Sequence, residues 1–241
     1  MNTRFLASVT NLYEASALLA AGVDIIDIKD PHKGALGAVE AGTICDIVQN
    51  VAGQVTTSAT IGDLPLDPDH ISCAVDNMQN TGVDIIKIGI FSDLVPANIL
   101  QIIKKHTNDG CRIVLVYFAD LKPRLDDFSI LKDAGVYGVM LDTADKTKGS
   151  LRTFINDDIL KNFIIQAKSS GLLTGLAGSL KLADIQPLLK LNPDYLGFRG
   201  ALCNKHQRIN TIDMQSVYNV RAMIPNERVN NGDIERLTVM V

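Results

Sequence analysis

Eight short runs of mostly apolar, largely β-branched residues recur along this chain, and the segments between them carry helical rather than extended patterning. The runs are RFLASV (4–9), DIIDIKD (24–30), QVTTSATIG (54–62), DIIKIGIF (84–91), RIVLVYFAD (112–120), YGVMLDTA (137–144), LLTGLAGS (172–179) and DYLGFRG (194–200). Strands that are apolar on both faces must be covered on both faces, as in a parallel sheet wrapped by helices. The intervening NLYEASALLAAG, DLVPANILQIIKKHTNDG, NDDILKNFIIQAKSSG and DIQPLLKL supply those helices. Several close on a glycine just before the next strand (AAGVD, NTGVD, DAGV, SSGL), the usual helix C-terminal signal. Eight strand–helix units in 241 residues predict the α/β class and a (β/α)8 TIM barrel, as one domain over residues 1–223. An open doubly wound sheet fits less well, because no GxGxxG follows the first strand. Residues 224–241 lie beyond the eight units, and their NNG between RV and LTVMV predicts a tail or small hairpin.

Within these strands the charged residues crowd toward one end. In DIIDIKDP, alternation puts Ile25, Asp27 and Lys29 on one face, and DIIKIGIF carries Lys87 at a matching point. Strand 3 leads through Ser58 and Thr60 to Asp63, strand 5 runs into Asp120, and strand 6 supplies Asp142 with Lys146 and Lys148 beyond it. Barrel active sites form at the C-terminal ends of the strands, so this one-ended polarity marks a site. A lysine there becomes a nucleophile once burial or a neighbouring cation lowers its pKa, which points to amine chemistry on a carbonyl. Asp27 and Lys29 stand two residues apart, about 7 Å, a separation that suits a proton relay better than a tight local ion pair. The competing reading is an ion-pair network of Lys29, Lys87, Asp27 and Asp142 that only fills the barrel.

A second constellation follows strands 7 and 8, where barrels often hold phosphate on backbone amides and a helix N-terminus. In LAGSLK (176–181) and GFRGALC (197–203), Gly178 and Gly200 allow close backbone approach, Ser179 offers a hydroxyl and Arg199 a guanidinium fork. Tight strand-to-helix turns are the alternative use of those glycines.

The remaining chemistry is largely excluded. A net charge of −4 with no basic, aromatic-rich run gives no footprint for nucleic acid. His32, His70, His106 and His206 have no HExxH-type partner, and Cys45, Cys73, Cys111 and Cys203 form no CxxC, so no metal site is expected, and amine chemistry on a carbonyl needs no cofactor. The Lys104–Lys105–His106 cluster reads as a solvated helix end. Scattered cysteines, no signal-like N-terminus and no apolar run near the roughly 20 residues of a membrane span predict a cytoplasmic protein without a membrane partner. Apolar outer-helix residues and the β-prone 237–241 are compatible with a homo-oligomer.

GVDIIDIKDPHKGALGA, TSATIGDLP, VDIIKIGIF, VMLDTADK, LAGSLK and GFRGALC together closely resemble the (5-formylfuran-3-yl)methyl phosphate synthase family of methanofuran biosynthesis, in the same order from about residue 5 to about 223. The resemblance implies a barrel lyase, of the carbon–oxygen type acting on phosphates, that joins two molecules of glyceraldehyde 3-phosphate with loss of phosphate and water. It also implies Lys29 as the Schiff-base lysine and Lys87 as the proton acceptor, with Asp27, Asp142 and Lys146 at further polar positions. Asp30 stands where the family usually has Asn, and Lys148 competes with Lys146 for its role. The second triose needs its own anchor, near Lys33 and Gly34 or near Lys146 and Lys148. Two other readings stay open: a class I aldolase on another phosphosugar, and an inactive barrel that binds a phosphorylated metabolite.

Overall fold

The computed structural model describes residues 3–126 and 128–224. Eight strands close into one barrel in chain order, each parallel to its neighbours: β1 (Arg4–Val9), β2 (Ile25–Ile28), β3 (Thr56–Thr60), β4 (Ile85–Ile90), β5 (Ile113–Phe118), β6 (Gly138–Asp142), β7 (Leu173–Leu176) and β8 (Tyr195–Phe198). Each lies inside one of the eight apolar runs. The outer helices are α1 (Leu12–Ala20), α2 (Ala41–Val51), α3 (Pro68–Gln79), α4 (Ala97–Asn108), α5 (Phe128–Asp133), α6 (Leu151–Phe154), α7 (Asp157–Ser169), α8 (Leu182–Leu189) and α9 (Met214–Met223). No helix among the described residues is long and apolar enough to cross a membrane. Apart from Ile224, the tail or hairpin expected over 224–241 lies outside the described residues.

Strand parity divides the core in two. One face of each strand packs outward on the helices, as Phe5, Ile26, Ile86, Leu115, Leu141 and Leu196 do. The other fills the barrel, with Leu6, Ile25, Ile85, Val114, Val116, Met140 and Tyr195. Tyr195 fits only because its neighbour on β7 is Gly175, where a Cβ would lie 2.1 Å from the ring.

The GVD segments seen in the sequence have a physical use at the N-terminal rim. Asp24 accepts the Phe5 amide at 2.8 Å and Asp84 the Thr57 amide at 2.8 Å, while Asp194 takes the Thr174 amide at 2.7 Å. Each carboxylate thus ties the start of an even-numbered strand to the strand before it, fixing the register that places side chains at the opposite rim. The expectation for His106 is corrected. It is buried between α4 and α3, 3.1 Å from Ser72 Oγ and 3.6 Å from Asp76, because the helix end turns it inward rather than toward water.

Candidate active site

The register brings the expected residues to one end of the lumen. Ser8, Asp27 and Ser58 stand side by side across β1, β2 and β3, and Thr60 faces Lys87 across β3 and β4. Asp142 ends β6 opposite Phe118. Lys29 follows β2 by one residue, and its amide is still held by Val9 O at 3.0 Å. Asp27, Lys29, Lys87 and Asp142 are all buried.

They form two lysine–carboxylate pairs with Lys29 beside them. Lys87 Nζ pairs closely with Asp27 Oδ1, and the hydroxyls of Ser58 (2.7 Å) and Ser8 (3.0 Å) donate to the same carboxylate. Lys146 Nζ pairs closely with Asp142 Oδ1, which also accepts the Thr143 amide at 2.7 Å. Asp142 Oδ2 has no hydrogen-bond partner among the described residues and faces Lys29 Nζ at 3.7 Å. Asp27 is therefore satisfied by Lys87 and the serines, as its spacing from Lys29 anticipates.

Electrostatics sets these groups apart from surface residues. Burial pushes the Asp27 carboxyl up, but the Lys87 and Lys29 ammonium groups and the bonds from Lys87 and Ser58 outweigh it and hold it below its ordinary range. Asp142 is likewise held well down, by Lys146 and Lys29, against the burial that opposes them. Burial lowers Lys87, assisted by Lys29 and resisted by Asp27 and Asp142. Burial brings Lys146 down to about 8, with Lys29 and Arg208 adding to it and Asp142 opposing.

Above this cluster opens a cavity of about 680 Å³ walled by Asp27, Lys29, Asp142, Lys146, Gly178 and Ser179, among others. Lys87 is not on the wall and lies behind Asp27. Carboxylates clamp the surrounding loops. Asp63 accepts the amides of Ala35 and Leu36 at 2.8 Å, and Asp120 those of Ala144 (2.7 Å) and Asp145 (2.8 Å). Among the described residues, no three His, Cys, Asp or Glu side chains converge as metal ligands.

Gly178 has a φ of +106°, and a Cβ there would lie 3.0 Å from Thr143. The amides of Gly178 and Ser179 have no protein acceptor among the described residues, and the Ser179 hydroxyl reaches Lys146 O at 3.4 Å. Gly200 lies on the same wall. Arg199 does not meet its expectation. It borders the cavity, but all five of its N–H groups are taken: by Glu14 (2.6 and 3.1 Å) and by the carbonyls of Ser8, Arg208 and Asn210. A buried guanidinium so satisfied has no donor left for phosphate. Of the anchor lysines expected for the second triose, Lys146 lines the cavity and Lys33 and Lys148 do not. Lys33 turns to Asp30 and Glu40, and Lys148 is exposed beside Asp145, which leaves Lys146 as the inward lysine of its loop. Asp30, the departure from the family pattern, accepts the His32 amide at 2.9 Å and pairs with Lys33 at 3.6 Å. Arg208 lines the cavity and has no counterpart among the sequence-derived candidates; a long loop between β8 and α9 was the one available signal.

The family model of 4-HFC-P synthase matches residues 5–221. This chain belongs to that family. A Methylorubrum extorquens protein, provisionally named as a (5-formylfuran-3-yl)methyl phosphate synthase, is 39% identical over 87% of this chain and 86% of its own length. The (5-formylfuran-3-yl)methyl phosphate synthase of Methanosarcina acetivorans is 33% identical over 85% and 92%. Among solved structures, phosphoribosyl anthranilate isomerase from Thermus thermophilus superposes with a TM-score of 0.66 at 12% identity, covering 92% of this chain and 98% of its own. At that identity the likeness speaks for the barrel fold alone.

Proposed function

We propose that this synthase-family barrel condenses two molecules of glyceraldehyde 3-phosphate into (5-formylfuran-3-yl)methyl phosphate by way of a Schiff base on Lys29, in a pathway of the methanofuran type. The observation that carries this reading is Lys29 itself: a buried amine on the cavity wall, 3.7 Å from an Asp142 oxygen that has no hydrogen bond, with a lysine–carboxylate pair on either side. Its amine adds to the aldehyde carbon of the first triose, and loss of water leaves an iminium. The iminium acidifies the adjacent carbon. Burial favours the neutral amine of Lys87, which takes that proton by way of Asp27 at the cavity wall, and an enamine forms. The enamine makes the carbon–carbon bond to the second triose. Lys146, held by Asp142, protonates a departing oxygen. In total the two trioses lose one phosphate and two waters, and hydrolysis of the iminium returns Lys29. The amides of Gly178 and Ser179 hold one phosphate, in keeping with a cavity lined by Lys29, Lys146, Lys181, Arg208 and the Glu14-paired Arg199 against two carboxylates, Asp27 and Asp142.

The test is borohydride trapping with glyceraldehyde 3-phosphate, followed by peptide mass analysis. A reduced triose adduct on Lys29 and a furan chromophore without borohydride are expected, both lost in Lys29→Arg with the fold kept. No adduct on Lys29 rejects the Schiff base. An adduct without furan absorbance points to an aldolase acting on another phosphosugar.

A further inference from the structure

The condensation reading requires two phosphate anchors in one cavity, and the amides after β7 provide only one. After the neighbouring strand, the loop between β8 and α9 carries Arg208. Its Nη2 donates to Gly34 O at 2.8 Å, across to the loop after β2, and its other N–H groups have no protein acceptor among the described residues. The side chain is partly buried, lines the cavity, and lies close enough to Asp142 and Lys146 to interact electrostatically with both. A guanidinium with unused donors beside a cationic cavity fits a phosphate fork.

The backbone that presents Arg208 is held against its preferences. Lys205 and His206 both have a φ of +56°, a region that L side chains avoid. Such a loop persists only when its surroundings fix it. Arg199 does so: its Nε donates to Arg208 O at 2.9 Å and its Nη2 to Asn210 O at 3.2 Å. Glu14 secures the other edge of the guanidinium, and Glu14 is itself fixed by the Thr10 amide at 2.9 Å and hydroxyl at 3.1 Å. The ion pair thus links the start of α1 to the β8 loop.

We infer that Arg208 anchors the phosphate of the second triose, and that the buried Glu14–Arg199 pair is a positioning strut that aims it. This inference rests on the condensation reading and adds to it a division of labour: the β7 amides hold the triose on Lys29, and Arg208 holds its partner. Lys146 and Lys29 line the same cavity as the two anchors. The volume of about 680 Å³ falls within the roughly 300–1,000 Å³ of ordinary ligand pockets, enough for both trioses together.

The experiment compares two readouts in the full chain, borohydride trapping of glyceraldehyde 3-phosphate at Lys29 and the substrate dependence of furan formation. Arg208→Gln is expected to leave trapping within about twofold and to raise the KM for furan formation about 10- to 100-fold, the loss of a charge-assisted contact. Arg199→Lys keeps the charge but not the fork, and is expected to raise the same KM with trapping again retained. The double variant is expected to be no worse than Arg208→Gln, because the strut acts through Arg208. An unchanged KM in Arg208→Gln overturns the proposal, and so does a parallel loss of trapping and furan. Additive effects of the two substitutions overturn the strut. Arg208→Gln tests the anchor even if Arg199→Lys does not fold. A wild-type protein that makes no furan from glyceraldehyde 3-phosphate rejects the underlying condensation before any variant is made.

Discussion

The titration of Lys146 falls inside an ordinary assay range. Its amine is held at about 8, against an ordinary value of 10.5, chiefly by burial. Below that pH it is an ammonium able to protonate a departing oxygen, and above it the acid is gone. The pH profile of kcat/KM is therefore expected to fall above about 8, and Lys146→Arg to move that limb upward by at least one pH unit while lowering the rate. A limb that stays in place in the variant assigns it to another group. Stability runs the other way. Between about 8 and 10.5 the unfolded lysine binds a proton that the folded one has released, so this group's contribution to stability rises with pH. At the residue scale the sequence showed most of this cluster, because a lysine on a fully apolar strand conflicts with burial and has to be explained. It concealed the roles of the two arginines. Arg199 sits at a strand end like a ligand, but its partner Glu14 is 185 residues away, and no local pattern records that distance. Arg208 lies in an irregular loop where hydrophobic periodicity carries no information.

Elements are legible where burial imposes a period and obscure where it does not. All eight strands could be read from apolar runs, whereas short α6 and the loop from Arg199 to Asp213 left no comparable trace. His106 was misread for a related reason: a helix end next to two lysines suggests solvent, but the face of α4 is set by its packing on α3. The β7–β8 contact shows how finely element packing depends on single atoms. Gly175 carries no positive φ, so its requirement is purely one of space against the Tyr195 ring. Gly175→Ala is expected to destabilise the barrel by about 1–3 kcal/mol through overpacking. Adding Tyr195→Val should recover part of that loss by removing the ring, at the expense of a smaller void. Denaturant midpoints of the three variants at constant m-value decide this. If the second substitution only adds to the first, the ring contact is not the cause.

At the scale of the molecule, the lumen is asymmetric. Its lower layers are apolar and close-packed, and its upper rim gathers lysines and carboxylates that a stability-optimised barrel would omit. Paired charges out of water gain little net energy, and breaking such a pair is worse than removing it whole. The Asp27–Lys87 pair allows a direct comparison, because Asp27 would remain hydrogen-bonded to Ser8 and Ser58 if it became an amide. Lys87→Met alone leaves a buried carboxylate without its closest cation, with a loss of about 3 kcal/mol expected. Lys87→Met combined with Asp27→Asn removes both charges and keeps the serine contacts, so most of that loss should return, while turnover stays abolished in both variants. Equilibrium unfolding at neutral pH measures the difference. A double variant less stable than the single one would mean that the pair holds the barrel together; recovery of stability without activity would mark it as a charge arrangement that the fold tolerates for its chemistry.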